Sequence, residues 1–237
     1  MKKLLLLFWL PLCLSCKKDE VTVKEGFLRQ MVVQDKVYQS FEYKSGLLAK
    51  EQHFGFACQD TPVDAFVYQY QNKRLVTLKS TLRSLYSSTS AMCDPAQGLS
   101  SEEQYAYDPQ GKLVRVNRAN SHLLFDYNAE GRIERQTLYG SGGTIGIATI
   151  FRYDARGNIV EETDASGQTT TYTYDKNPNP FFLMKQRPGW ISPYNKSPNN
   201  VIRASGQRQW ERTFVYLANG LPKTVLETNG LLYKYIY

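Results

Sequence analysis

Few residues in this 237-residue chain are of types that do chemistry unaided: cysteines at 13, 16, 58 and 93 and histidines at 53 and 122. A thiol beside an imidazole is a possible nucleophile, and His53 stands five residues before Cys58. The residues between them, Phe54-Gly55-Phe56-Ala57, match no cysteine hydrolase signature, and no third orienting group is apparent. Neither histidine has Cys/His spacing around it, so no metal site and no cofactor are expected. Glu102-Glu103 and Glu161-Glu162 could suggest acid–base pairs, but neighbours on a strand point to opposite faces and do not converge. Gly140-Ser141-Gly142-Gly143-Thr144 is glycine-rich but lacks the Gly-Lys-Ser/Thr ending of a phosphate loop, and reads as a hairpin tip.

The most informative thiol is Cys16. It follows Met1, Lys2 and Lys3, an apolar run from Leu4 to Leu14, and the small Ser15. A charged start, a short apolar core and a small residue at the cut site read as a secretory signal rather than a span, which needs about 20 apolar residues. Ser15-Cys16 resembles the lipobox of bacterial lipoproteins, although the place three before the acylated cysteine holds Cys13 where that family has a branched aliphatic. The resemblance implies cleavage before Cys16, a diacylglycerol on its thiol and an acyl chain on its new amine. Several chains are what stable anchoring requires. The following Lys17-Lys18-Asp19-Glu20 resembles the surface-export signal of Bacteroidota lipoproteins. The expectation is an outer-membrane lipoprotein, possible on the external face, with the membrane as a partner through its N-terminal lipid.

The organisation expected is a signal peptide over 1–15, an acylated tether over 16–26 and a single domain over 27–237. About 220 residues remain after processing, enough for one core. The formal charge of +7 is spread without a basic block, so nucleic acid is not an expected partner. With Cys13 removed and Cys16 acylated, Cys58 and Cys93 are left as an even pair in an exported protein, and a disulfide is the simplest reading.

The body is repetitive. Tyr105-Ala-Tyr107-Asp108-Pro-Gln-Gly111-Lys112-Leu113 is followed by Phe125-Asp-Tyr127-Asn128-Ala-Glu-Gly131-Arg132-Ile133, by Phe151-Arg-Tyr153-Asp154-Ala-Arg-Gly157-Asn158-Ile159 and by Tyr172-Thr-Tyr174-Asp175. Looser copies begin at Phe41, Tyr68 and Phe214. Each copy predicts a hairpin: alternating aromatics share one strand face, Asp or Asn starts the turn, Gly closes it, and aliphatics form the return strand. These residues resemble the YD repeats of RHS-type proteins, and more closely the short YD-repeat lipoproteins of Bacteroidota. No toxin or self-cleaving segment of the large RHS proteins is recognisable.

Between Asn177 and Gln209 the pattern breaks. This stretch holds five of the ten prolines and carries Phe181, Phe182, Trp190 and Tyr194. Proline cannot sit in a central strand, so a long loop is expected, covering an end or face of the sheet. Its four rings are the candidate ligand contacts, for a glycan or a protein.

The predicted fold is all-β: a curved antiparallel meander, a half-barrel or open sheet, with a closed barrel or two packed sheets as the alternative. The predicted function is a non-catalytic binding or scaffold module, with a glycan hydrolase using two carboxylates on the concave face as the alternative.

Overall fold

The computed structural model describes residues 27–58, 61–86, 88–185 and 188–237. Cys16 and the Lys17–Glu20 run lie outside them. Among the described residues sixteen strands form one sheet. They are β1 (Gln30–Val33), β2 (Lys36–Lys44), β3 (Leu47–Phe54), β4 (Pro62–Gln71), β5 (Arg74–Leu82) and β6 (Leu99–Tyr107). Next come β7 (Leu113–Arg118), β8 (Ser121–Tyr127), β9 (Ile133–Tyr139), β10 (Ile145–Tyr153) and β11 (Ile159–Thr163). The last are β12 (Thr169–Pro178), β13 (Asn199–Gly206), β14 (Trp210–Tyr216), β15 (Pro222–Glu227) and β16 (Leu232–Ile236). Every strand pairs antiparallel with its sequence neighbours, and β1 pairs with β16 from Gln30↔Ile236 to Val33↔Tyr233. The all-β antiparallel meander is as expected, and the closed barrel, weighed as an alternative to the half-barrel or open sheet, is the form adopted. Closure removes both free edges, which an open sheet this long would leave unpaired.

Each repeat residue has a separate task. The first aromatics, Phe41, Tyr68, Tyr105, Phe125, Phe151 and Tyr172, are buried, each at 7% exposure or less. The second tyrosines use their hydroxyls to tie the wall together. Tyr107 donates to the Leu75 carbonyl (2.9 Å), Tyr127 to Leu113 (2.7 Å) and Tyr153 to Ile133 (2.7 Å). Tyr43, Tyr174 and Tyr237 donate in the same way to Leu28, Ile159 and Pro222. The basic residue of one hairpin lies over the second tyrosine of the next: Arg74 on Tyr107, Lys112 on Tyr127 and Arg132 on Tyr153, at 5.1–5.8 Å from the ring centroid.

The Asp or Asn closes the turn. The Lys112 amide donates to Asp108 Oδ1 (2.7 Å), Arg132 to Asn128 (2.9 Å) and Asn158 to Asp154 (2.8 Å). Gly111, Gly131 and Gly157 take φ of +76° to +92°, where a Cβ would be strained. A register shift immediately precedes each second tyrosine, as a turn ending in a left-handed residue requires. Two of the looser copies differ: Ser45-Gly46 and Asn72-Lys73 are two-residue turns with positive φ at both positions.

The wall therefore has two unlike ends. All Tyr-Asp turns fall at one end, here the turn end. The opposite, loop end carries the irregular connections, among them the short helix α1 (Thr89–Cys93) between β5 and β6. Cys58 and Cys93 are disulfide-bonded there, their Cα atoms 5.1 Å apart. The pairing expected from the sequence is thus formed, and it removes Cys58 from any nucleophilic role with His53.

The exterior carries both charged side chains and exposed aliphatics, among them Val215, Leu226 and Ile236. Outward charges pair across strands as Glu42–Lys50, Lys79–Glu102, Arg152–Glu161 and Arg203–Glu211, at 3.3–3.7 Å. The adjacent glutamates do point apart, Glu102 to Lys79 and Glu103 to Tyr105 and Arg118.

Candidate functional site

A sixteen-strand barrel built only of its wall would be wide enough for a water-filled channel. Here the lumen is filled by the chain itself. Where the Tyr174-Asp175 copy should turn into β13, the chain instead runs through residues 179–198, with short helices α2 (Pro180–Leu183) and α3 (Pro193–Lys196). This segment touches the wall at several strands. Phe181 packs edge-on against Phe41 of β2 and Tyr235 of β16, with centroids 6.3 and 6.2 Å apart. The Tyr43 hydroxyl reaches Met184 Sδ (2.6 Å), and Tyr194 stacks on Trp210 of β14 (5.5 Å). At Gly189 a Cβ would come within 2.6 Å of Val116 and 3.3 Å of Phe125, so only glycine permits this approach to β7 and β8. The expected cover over an end or face is an internal plug.

Asparagines hold the plug in place of a strand ladder. Buried Asn179 donates to the Tyr194 (2.6 Å) and Ser197 (2.8 Å) carbonyls and accepts from the Phe181 amide (3.0 Å). Asn195 donates to the Trp190 carbonyl (2.8 Å) and accepts from Ser192. Asp175, freed from closing a turn, accepts from the Asn200 backbone (3.1 Å) and from the Tyr216 hydroxyl. The Asn-Pro-Asn-Pro and Ser-Pro-Asn-Asn runs are thus a scaffold that satisfies buried backbone polar groups.

On the loop-end side of the plug lies a cavity of about 350 Å³. Three of the four candidate rings line it, Phe181, Trp190 and Tyr194, while Phe182 lines a different cavity. Trp190 is 48% exposed. Burial raises the Tyr194 hydroxyl above its ordinary pKa and keeps it a donor.

The wall adds polar groups that the sequence reading missed: Gln39, Glu51, Arg212 and Glu227. Arg212 pairs with Glu227, and its guanidinium lies 4.4 Å from the Tyr194 centroid and 4.9 Å from that of Trp210. Arg212 Nε is buried with no hydrogen-bond partner. Glu51, 3% exposed, accepts from Tyr68 (2.6 Å) and pairs with His53 Nε2 (2.6 Å), which contacts Gln39 (3.1 Å). A signal for Arg212 and Glu227 existed. Trp210-x-Arg212-x-Phe214-x-Tyr216 and Val225-x-Glu227 place a charge in the phase of the inward rings, and period two sends it into the lumen. His122 has no part in this site and stacks on Tyr139 (5.0 Å).

Fold and site together define a closed antiparallel barrel of repeated hairpins, plugged by one of its own connections. Residues 153–177 match the family model of the RHS repeat, from the tyrosine ending β10 to the base of the plug. A comparison with the curated proteins finds no match. Among solved structures, a porin-like protein from Bacteroides uniformis aligns at 9% identity and a TM-score of 0.43, over 88% of this chain and 97% of that one. The crystal structure of TcdB2-TccC3-Cdc42 aligns at 12% identity and a TM-score of 0.35, over 84% of this chain and 11% of that one. The Tc holotoxin pore of Photorhabdus luminescens aligns at 13% identity and a TM-score of 0.32, over 81% of this chain and 9% of that one.

Proposed function

We propose that this protein is a lipid-anchored, non-catalytic binding module of the outer membrane, exposed on the cell surface, that takes a glycan or peptide segment into the loop-end cavity. The observation that carries the reading is the cavity's lining. An exposed Trp190 ring and two further plug aromatics face Gln39, Asn195, Arg212 and Glu227, a ring platform edged by hydrogen-bonding groups. Flat rings stack on sugar or peptide faces, and planar polar groups select among hydroxyls and amides.

The anchor fits this geometry. Leu28 receives the Tyr43 hydroxyl at the turn end, so the described chain enters the barrel there. Acylation at Cys16 would then place the turn end toward the bilayer and the cavity away from it. A triacylated N-terminal peptide, lost in Cys16→Ala, tests the anchor. Protease sensitivity on intact cells, lost when Lys18-Asp19-Glu20 are replaced by alanines, tests the export.

Binding is tested on a glycan and peptide array. Trp190→Ala should lose at least tenfold in affinity while keeping its melting temperature, because the ring is half exposed. Equal binding by that variant removes the cavity from the proposal.

A second reading, a glycan hydrolase, draws on Glu51 and Glu227, carboxylates from different strands on the same cavity. Both are already engaged, Glu51 by Tyr68 and His53 and Glu227 by Arg212, an arrangement that favours holding a ligand over transferring protons. Turnover of an array glycan that vanishes in Glu227→Gln would put the hydrolase in place of the binding module.

A further inference from the structure

The plug creates a second cavity, at the turn end, of about 390 Å³. Its cations come from three places: Arg132 from the β8–β9 hairpin, Arg156 from the β10–β11 hairpin and Lys196 from α3 of the plug. Tyr127, Tyr153, Phe182, Pro188 and Ile191 supply the rest of its working surface, and among the described residues that line it none is a carboxylate. Two guanidinium groups and an ammonium converging on one cavity with an apolar floor give it a lining of the sign and shape that suits an anion.

We propose that this turn-end cavity binds an oxyanion, a phosphate, sulfate or carboxylate group carried on a small molecule or a lipid headgroup.

The partners of the two arginines leave them suited to it. Arg132 lies over the Tyr153 ring and spends one N–H on the Asp154 carbonyl (3.0 Å), contacts that orient a guanidinium without neutralising it. Arg156 is half exposed, donates to the Asp175 carbonyl (3.2 Å) and sits 3.5 Å from Asp154 Oδ2. Asp154 is itself committed to the turn, accepting from the Asn158 amide (2.8 Å) and side chain (2.9 Å). Planar guanidinium forks match oxyanions bidentately, and a lysine adds a point charge. Lys196 is partly exposed as a residue, but its ammonium is surrounded by protein, and that desolvation lowers it to about 8. The position is informative too, since the turn end is where the chain enters the barrel, on the side that the proposed anchor turns toward the bilayer.

The test uses the full mature chain and calorimetric titration with sodium phosphate, sodium sulfate and sodium glucuronate at constant ionic strength. Vesicles of phosphatidylcholine with and without phosphatidylglycerol form a separate arm. Saturable binding of an oxyanion that weakens at least tenfold in Arg156→Gln, and is unchanged in Trp190→Ala, supports the site. Binding of soluble anions alone identifies a soluble ligand. Added binding to the anionic vesicles, lost in Arg156→Gln, identifies a headgroup. Lys196→Met should weaken binding similarly. Should that variant misfold, the half-exposed Arg156 and the charge reversal Arg156→Glu carry the test. No saturable binding, or binding indifferent to Arg156, overturns the proposal. The Trp190 control separates its failure from that of the loop-end cavity.

Discussion

The two ends of the barrel are built on opposite principles. At the turn end one device is repeated: a tyrosine hydroxyl on the previous return strand, a carboxylate or amide capping the turn, a glycine in the left-handed region. No single copy is decisive, because neighbouring copies brace one another. At the loop end the connections differ in length and shape, and one covalent link, Cys58–Cys93, ties the β3–β4 and β5–β6 loops together. The plug joins these regimes. It begins where a turn should be, is held by asparagines near the turn end, and presents Trp190 and Tyr194 on the loop-end side. Regular wall supplies rigidity and irregular insert supplies the site, the usual division between a scaffold and its functional loops.

Alkaline titration should break the turn end with the largest effect. Burial pushes the Tyr70, Tyr107 and Tyr153 hydroxyls up to about 12, and those of Tyr43 and Tyr174 above ordinary values as well. An unfolded tyrosine ionises near pH 10. Above that pH the unfolded chain binds fewer protons than the folded one, so stability falls as pH rises and is complete only below about 10. Cooperative loss of circular dichroism between about pH 10 and 12, together with tyrosinate absorbance, is the expected outcome. Gradual ionisation at pH 10 with the fold intact would show that the hydroxyl ladder is dispensable.

The loop end should fail differently. Cys58→Ser with Cys93→Ser opens a loop of separation 35 and should cost roughly 3–4 kcal/mol in the chain-entropy model. Denaturant melts would read this loss, and hydrogen exchange should place the new opening at β3–β6 rather than in the Tyr-Asp turns. Next in size is the plug's anchor. Asn179→Ala strands the Tyr194 and Ser197 carbonyls and the Phe181 amide in a buried site, a loss of roughly 2–3 kcal/mol. It should also weaken the loop-end cavity, which Asn179 does not line; unaltered binding there would mean that the cavity does not depend on plug position. The smallest effect is expected in the wall: Tyr153→Phe removes one hydroxyl from the Ile133 carbonyl and should cost about 1 kcal/mol. A loss several times larger would mean that the copies are not redundant.

Much of the wall was legible from short-range chemistry. Period-two aromatics name the inward face, Asp-x-x-Gly names the turn, and a spacing of about 20 residues leaves no room for anything but sequential antiparallel pairing. The candidate rings were partly legible: the prolines marked 177–209 as a break and exposed Phe181, Trp190 and Tyr194 as the residues to watch, yet the irregular part is only 179–198, β13 (Asn199–Gly206) falls inside the expected loop, and Phe182 went to the other cavity. Arg212 and Glu227 were legible in phase but not in company, since period two shows that a charge faces inward and says nothing of what it meets there; Glu51 was not legible even in phase, because the register shift opposite Leu48–Lys50 reverses the parity of β3.

By itself, then, the sequence determined the hairpin, its turn and the face that each ring takes, because all of these depend on residues within a few positions of one another. Only the tertiary structure decided that the sheet closes. Closure rests on Gln30–Val33 pairing with Tyr233–Ile236, some two hundred residues apart, and twist accumulated over sixteen strands brings them together. It also decided where the proline-rich stretch goes. A segment without periodicity carries no address, and this one lies inside because a barrel of this girth has a lumen to fill and the segment's rings, glycine and asparagines fill it with their polar groups satisfied.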